Sequence, residues 1–118
     1  MYLLTRELNV RDYKTPAGQS PFEDWLVGLR DQMARATIYA RMGRLRKGNF
    51  GDCRSVGNGV SELKIHLGPG YRVYFGRDGL DLIILLCGGA KKGQSADIHK
   101  AREYWKEYRE RKNHGTSH

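Results

Sequence analysis

The chain has 118 residues, too few to build two separately stable cores, so a single domain is expected. Its 21 Lys+Arg against 13 Asp+Glu leave a formal charge of +8, which points to a polyanionic partner: nucleic acid, an anionic surface or an acidic protein. No apolar run approaches the ~20 residues that span a bilayer, and MYLLTRELNV carries no basic leader followed by an apolar stretch, so a cytoplasmic protein without membrane contact is expected.

Cys53 and Cys87 are far apart and have no C-x-x-C partner, so two reduced thiols are expected, with no metal ligand set and no cofactor. Residues 2–10 show strand-like alternation in Leu4, Arg6 and Leu8. The loop DYKTPAGQ leads into SPFEDWLVGLRD, where Ser20 can cap a helix, Pro21 suits its first position and Glu23 completes an S-x-x-E capping box. Phe22, Trp25, Leu26 and Leu29 recur at helical spacing and form a buried stripe. A second helix is expected from Asp31 to Lys47, burying Ala34, Ile38, Met42 and Leu45, with Arg35, Arg41, Arg44, Arg46 and Lys47 on its remaining surface and Gly48-Asn49 at its end. The two make an αα-hairpin, and Arg54 to Val56 can add a short strand.

The hairpins come next. Gly-Pro-Gly at 68–70 reads as a three-residue loop that pairs Leu67 with Tyr71, Ile65 with Val73 and Leu63 with Phe75. By the two-residue side-chain period these share an apolar face, while the other face sets His66 opposite Arg72 and Lys64 opposite Tyr74. Asp78-Gly79 reads as a two-residue turn pairing Arg77 with Leu80 and burying Leu82, Ile84 and Leu86. The strand DLIILLC is apolar on both sides and should be covered on each face. GGAKKGQ breaks the sheet, and Ser95 can cap a last helix with Ile98, Ala101, Trp105 and Tyr108 on one stripe and Lys100, Arg102, Lys106 and Arg109 opposite. Residues 113–118 read as a frayed tail after a domain of residues 1–112. The expected order is β-α-α-β-β-β-α, an α+β domain with an antiparallel sheet.

An exposed sheet face carrying Glu62, Lys64, His66 and Arg72 is what an ordinary solvated surface looks like. It is also what a phosphodiester site needs. Lys64, Arg72, Lys91 and Lys92 can converge on phosphate oxygens, with Arg72 the natural bidentate partner. Histidine is the side chain suited to proton transfer at neutral pH, which makes His66 a candidate base among those cations. Tyr74 offers a stacking surface, whereas Tyr71 should point into the core.

The pieces P-F-E-D-W-L-x-x-L-R-D at 21–31, G-N-F-G-D at 48–52, V-S-E-L-K-I-H-L-G-P-G-Y-R-V-Y-F at 60–75, I-L-L-C-G-G-A-K-K-x-Q at 84–94 and A-D-I-x-x-A at 96–101 cover most of residues 1–110. In that order they resemble the RelE/ParE superfamily of toxins from bacterial toxin–antitoxin modules, and more narrowly its HigB-like, phage-derived addiction module killer proteins. The resemblance implies a RelE-like curved sheet and a ribosome-dependent, metal-independent mRNA endoribonuclease that arrests translation. It also implies a monomeric free toxin and a cognate antitoxin, a helix-turn-helix protein encoded nearby. Carried over, the catalytic set is Lys64, His66, Arg72 and Lys91 or Lys92, of which Lys92 aligns better; Lys91, Tyr74, Arg44 and Arg41 are the candidate RNA- or phosphate-binding residues. These enzymes carry a tyrosine near the position of Ile98 that is absent here, which leaves the general base open between His66 and Lys64. The same superfamily includes ParE-like gyrase poisons, and a non-catalytic, antitoxin-binding co-repressor is a third alternative.

Overall fold

A computed structural model describes residues 7–116, and the fold is α+β: five strands in one mixed sheet with three helices. The strands are β1 (Asn9–Asp12), β2 (Cys53–Gly57), β3 (Val60–Ile65), β4 (Tyr71–Asp78) and β5 (Leu82–Ala90). The helices are α1 (Pro21–Gly28), α2 (Gln32–Arg46) and α3 (Gln94–Thr116). The strand order is β1-β5-β4-β3-β2. β1 runs parallel to β5, pairing Asn9 with Leu82 and Asp12 with Leu85, so the expectation of a purely antiparallel sheet is corrected. β1 begins at Asn9, so Leu8 of the expected first strand precedes it, and Leu4 and Arg6 lie outside the described residues.

The helix signals translate directly into structure. Ser20 caps α1, its Oγ accepting from the Glu23 amide at 3.1 Å, and Pro21 stands in the first turn. Asp31 caps α2 through the amides of Met33 and Ala34. At the other end Gly48, at φ +82°, donates to Leu45 O while the Asn49 amide reaches Arg44 O, a Schellman closure that requires the left-handed residue. Ser95 is not the cap of α3. A 3₁₀ turn, Lys91–Gly93, runs straight into that helix from an extended Ala90. α3 also continues through Thr116, so the expected boundary at 112 is passed; residues 117 and 118 lie outside the described residues.

Both hairpin registers differ from expectation. Ile65, not Leu67, faces Tyr71, and Lys64 faces Arg72, because residues 66–70 all belong to the connection. The shift is two residues, so each side chain keeps its face. The second turn holds three residues, since Asp78 pairs with Leu82. Arg77 thus pairs with Ile83 and not Leu80, and this odd, three-residue shift exchanges faces: Ile83 and Leu85 join Val73 and Phe75, while Ile84 and Leu86 turn to the other side. A bulge opposite Tyr74 and Phe75 then brings Cys87 across from Tyr74.

The sheet is therefore covered on both faces. On one, Phe22 and Leu26 of α1 and Ala34, Ile38, Met42 and Leu45 of α2 pack on Leu63, Ile65, Tyr71, Val73 and Phe75. On the other, Ala101 and Trp105 of α3 pack on Val60, Tyr74, Ile84 and Leu86. Trp105 lies so close over Gly76 that an added Cβ would sit 2.5 Å from its ring, which is why that central strand position has no side chain. Both cysteines are free thiols, and burial pushes Cys87 up to about 12.

Candidate functional site

The side of β3 and β4 that carries Glu62, Lys64, Arg72 and Tyr74 faces α3. This corrects the expectation of an open polar face: Glu62 and Tyr74 are 0% exposed and Arg72 only 7%. A buried carboxylate must be answered by donors. Oε1 of Glu62 accepts from Arg54 Nε at 2.9 Å; Oε2 accepts from Gln94 Nε2 at 2.8 Å and from the Tyr74 hydroxyl at 3.0 Å. Arg72 Nε lies 3.5 Å from the same oxygen, and its Nη1 donates to Gly70 O at 2.9 Å. Burial alone would raise the Glu62 pKa, but the bonds from Arg54, Gln94 and Tyr74 outweigh it and hold the group below the usual carboxylate range. Burial, then the bond to Glu62, raises Tyr74 well above an ordinary tyrosine.

Tyr74 therefore offers no stacking surface, and Arg72 is committed to the interior. What they share is structural: Gln94 ties the start of α3 to β3, and Arg54 ties the edge strand β2 to it.

Lys64 stands at the end of that face, where the cover stops. Together with Ile65, His66, Gly51, Asp52 and the α2 residues Thr37, Arg41 and Arg44, it lines an open cleft of about 350 Å³. His66 is exposed, outside the strand, and its Nε2 lies 2.6 Å from Oδ2 of Asp52. The partner of His66 is thus the Asp52 carboxylate, not Arg72, opposite which the expected register set it. The Lys64 amide donates to Asp52 O at 2.9 Å, which anchors the loop before β2 to the end of β3. The hydrogen bond from His66 holds the Asp52 carboxyl below its usual range, with the charges of Lys64 and Arg41 adding to it.

Of the other expected residues, Arg44 is exposed at the cleft. Arg41 is 8% exposed and is not an open-surface cation; its Nη2 donates to Phe50 O at 3.1 Å. Lys91 and Lys92 are exposed on the 3₁₀ turn and line no part of this cleft. The structure thus brings Lys64, His66, Arg41 and Arg44 together and places Arg72, Tyr74, Lys91 and Lys92 elsewhere. Asp52, Arg54 and Gln94 were not assigned a role from the sequence. G-N-F-G-D held a signal for the first, because a glycine before an aspartate marks a constrained turn, and Gly51 has φ +62°. Arg54 lies directly across the β2–β3 hairpin from Glu62, eight residues on, whereas nothing local marks Gln94, whose partner is 32 residues away.

No family model matches the chain. A Haemophilus influenzae protein described as uncharacterized is 49% identical over 81 residues, covering 69% of this chain and 82% of that protein. The chain belongs to that protein's family. Among the described residues, no helix is long and apolar enough to cross a membrane, and no group of three or more His, Cys, Asp and Glu side chains could hold a metal ion.

Proposed function

We propose that the protein is the toxin of a type II toxin–antitoxin module of the RelE/ParE type, acting as a ribosome-dependent mRNA endoribonuclease. The observation that supports this reading is the cleft in which Lys64, His66 and Arg44 meet at the sheet's end, with Asp52 on the imidazole. A base there takes the proton of a ribose 2′-OH. The alkoxide oxygen forms a bond to the adjacent phosphorus, the bond from phosphorus to the 5′-oxygen breaks, and that oxygen leaves with a proton from an acid. The products are a cyclic phosphate and a 5′-hydroxyl, and no electrons are exchanged. Lys64 and Arg44 stabilise the charge that accumulates on the non-bridging phosphoryl oxygens; one such preorganised donor is worth ~10²–10³ in rate. The net charge of +8 supports docking on ribosomal RNA, and the partner that neutralises the toxin is an antitoxin whose acidic or amphipathic segment covers the cleft.

Induced expression under tight control tests this, with protein synthesis, mRNA integrity, DNA supercoiling and growth followed separately. Early loss of translation with cut mRNA is expected, and K64A and H66Q should abolish it while keeping the wild-type melting curve. Early DNA damage signalling would replace the reading by gyrase poisoning, and unaffected growth would leave a binding module.

A further inference from the structure

Arg41 is an unusual constituent of a phosphate site, because it is only 8% exposed and its Nη2 already donates to a backbone carbonyl. It lies under the 50–52 loop, donating to Phe50 O, and so close to the Gly51 backbone that a Cβ there would fall 2.5 Å from Nη2 and 2.7 Å from Nη1. Gly51 is therefore required twice, for its φ of +62° and for this approach. The next residue is Asp52, pinned from the other side by the Lys64 amide. Its carboxylate, 51% exposed, meets His66 Nε2 at 2.6 Å.

We propose that Arg41 is a positioning residue that fixes the 50–52 loop, so that Asp52 holds the His66 ring through Nε2 and leaves Nδ1 as the nitrogen that meets a substrate hydroxyl. This rests on the nuclease reading and sharpens it: His66 is the base, Lys64 stays a charge donor, and Arg41 touches no RNA. The chain of contacts follows the usual logic by which the tautomer of a histidine is set by what its other nitrogen bonds. Asp52 is a positioning residue too, acting through the ring.

The test has two arms. Long-range ¹H–¹⁵N spectra of the neutral His66 ring should show one tautomer, with the proton on Nε2, in the wild type. Arg41→Ala and Asp52→Ala should each give a tautomer mixture. Arg41→Met, which keeps the apolar stem, should behave as Arg41→Ala and serves if that variant fails to fold. In the second arm, single-turnover mRNA cleavage should fall at least about tenfold in each single variant, as a share of the ~10²–10⁴ that general base catalysis contributes. The double variant should be no slower than the slower single one. A wild-type tautomer in folded Arg41→Met, or losses that multiply in the double variant, would overturn the proposal and return Arg41 to the RNA. Absence of cleavage by the wild type overturns the nuclease reading alone, and the tautomer arm still decides what Arg41 does.

Discussion

Glu62 and Asp52 are both carboxylates held below their usual titration range by donors, and the hairpin places them in opposite surroundings. The Glu62 side chain is 0% exposed and is answered by Arg54, Tyr74 and Gln94, with Arg72 close by; the Asp52 side chain is 51% exposed and has His66. A similar direction of shift therefore means different things. At Glu62 the donors compensate a desolvation that would otherwise be prohibitive, so the group is bound into the fold. At Asp52 solvent already satisfies the carboxylate, so its bond is free to serve orientation. The face of the sheet that carries both strands' charges is half scaffold and half open site, and the end of the cover by α3 divides them.

The sharpest way to break this contrast is to remove the buried partner. Glu62→Ala leaves Arg72 without its nearest carboxylate and strips Tyr74 and Gln94 of their acceptor. The expected loss is about 3–5 kcal/mol, the range for breaking a buried charge pair, read as a drop in the urea midpoint. A loss below about 1 kcal/mol would mean the cluster relaxes to water, and the contrast with Asp52 would disappear.

Acid gives a graded version of the same test. The folded pKa of Glu62 lies below its unfolded one, so its contribution is complete above the ordinary glutamate value of ~4.3 and is lost as pH falls through the folded value. Asp97, raised by burial, contributes with the opposite sign, so the difference between the wild type and Glu62→Gln is the quantity to measure. That gap should narrow as pH drops from about 6 to about 3. A gap that is flat across this range would show that the charge on Glu62 is not what its donors stabilise.

The sequence carried most of this architecture, and the failure on the polar face has an identifiable cause. Side-chain period correctly grouped Glu62, Lys64, Arg72 and Tyr74, because period depends only on local backbone geometry. Whether that face is wet depends on where α3 packs, which is a tertiary fact. Two signals in the sequence bear on it: a fifth strand apolar on both sides, and a last helix with the stripe Ile98, Ala101, Trp105 and Tyr108. Taken together they require a second covered face, and Glu62, Arg72 and Tyr74 then have to pair with one another. The registers were harder. Asp78-Gly79 invites a two-residue turn, but Asp78 stays in the strand and the turn is Gly79, Leu80 and Asp81, and a bulge near Tyr74 restores the phase farther along. Of the cleft, Lys64, His66, Arg41 and Arg44 were legible as residue types, whereas the Asp52 contact joins positions 14 apart in the chain and needed the fold.

Asp78 lies between the two extremes and sharpens the scale. Its side chain is 18% exposed, accepts from the Tyr108 hydroxyl at 2.6 Å and pairs with Lys112 at 2.5 Å, clamping the second hairpin to the far end of α3. Tyr108 is itself raised to about 12, first by burial and then by that bond. Tyr108→Phe removes one hydrogen bond and leaves the ring stacked on Trp105 at 5.3 Å, so a loss of about 1 kcal/mol is expected. A loss as large as that of Glu62→Ala would show that a partly wet carboxylate can organise the fold as strongly as a dry one.

The smallest stability effect belongs to Asp52, and there the contrast is most exposed to refutation. Asp52→Ala removes the acceptor of His66 but neither the Lys64 amide bond to the Asp52 carbonyl nor the Arg41 bond to Phe50, both of which use backbone oxygen. Exposed ion pairs gain little over water, so the urea midpoint should stay where it is in the wild type. The same substitution is the one expected to slow RNA cleavage. A group whose removal leaves stability alone and changes the chemistry is held in place by the fold without helping to hold the fold together. A midpoint shift comparable to that of Tyr108→Phe would instead put Asp52 with Asp78 among the clamps, and His66 would lose its claim to be oriented for a reaction.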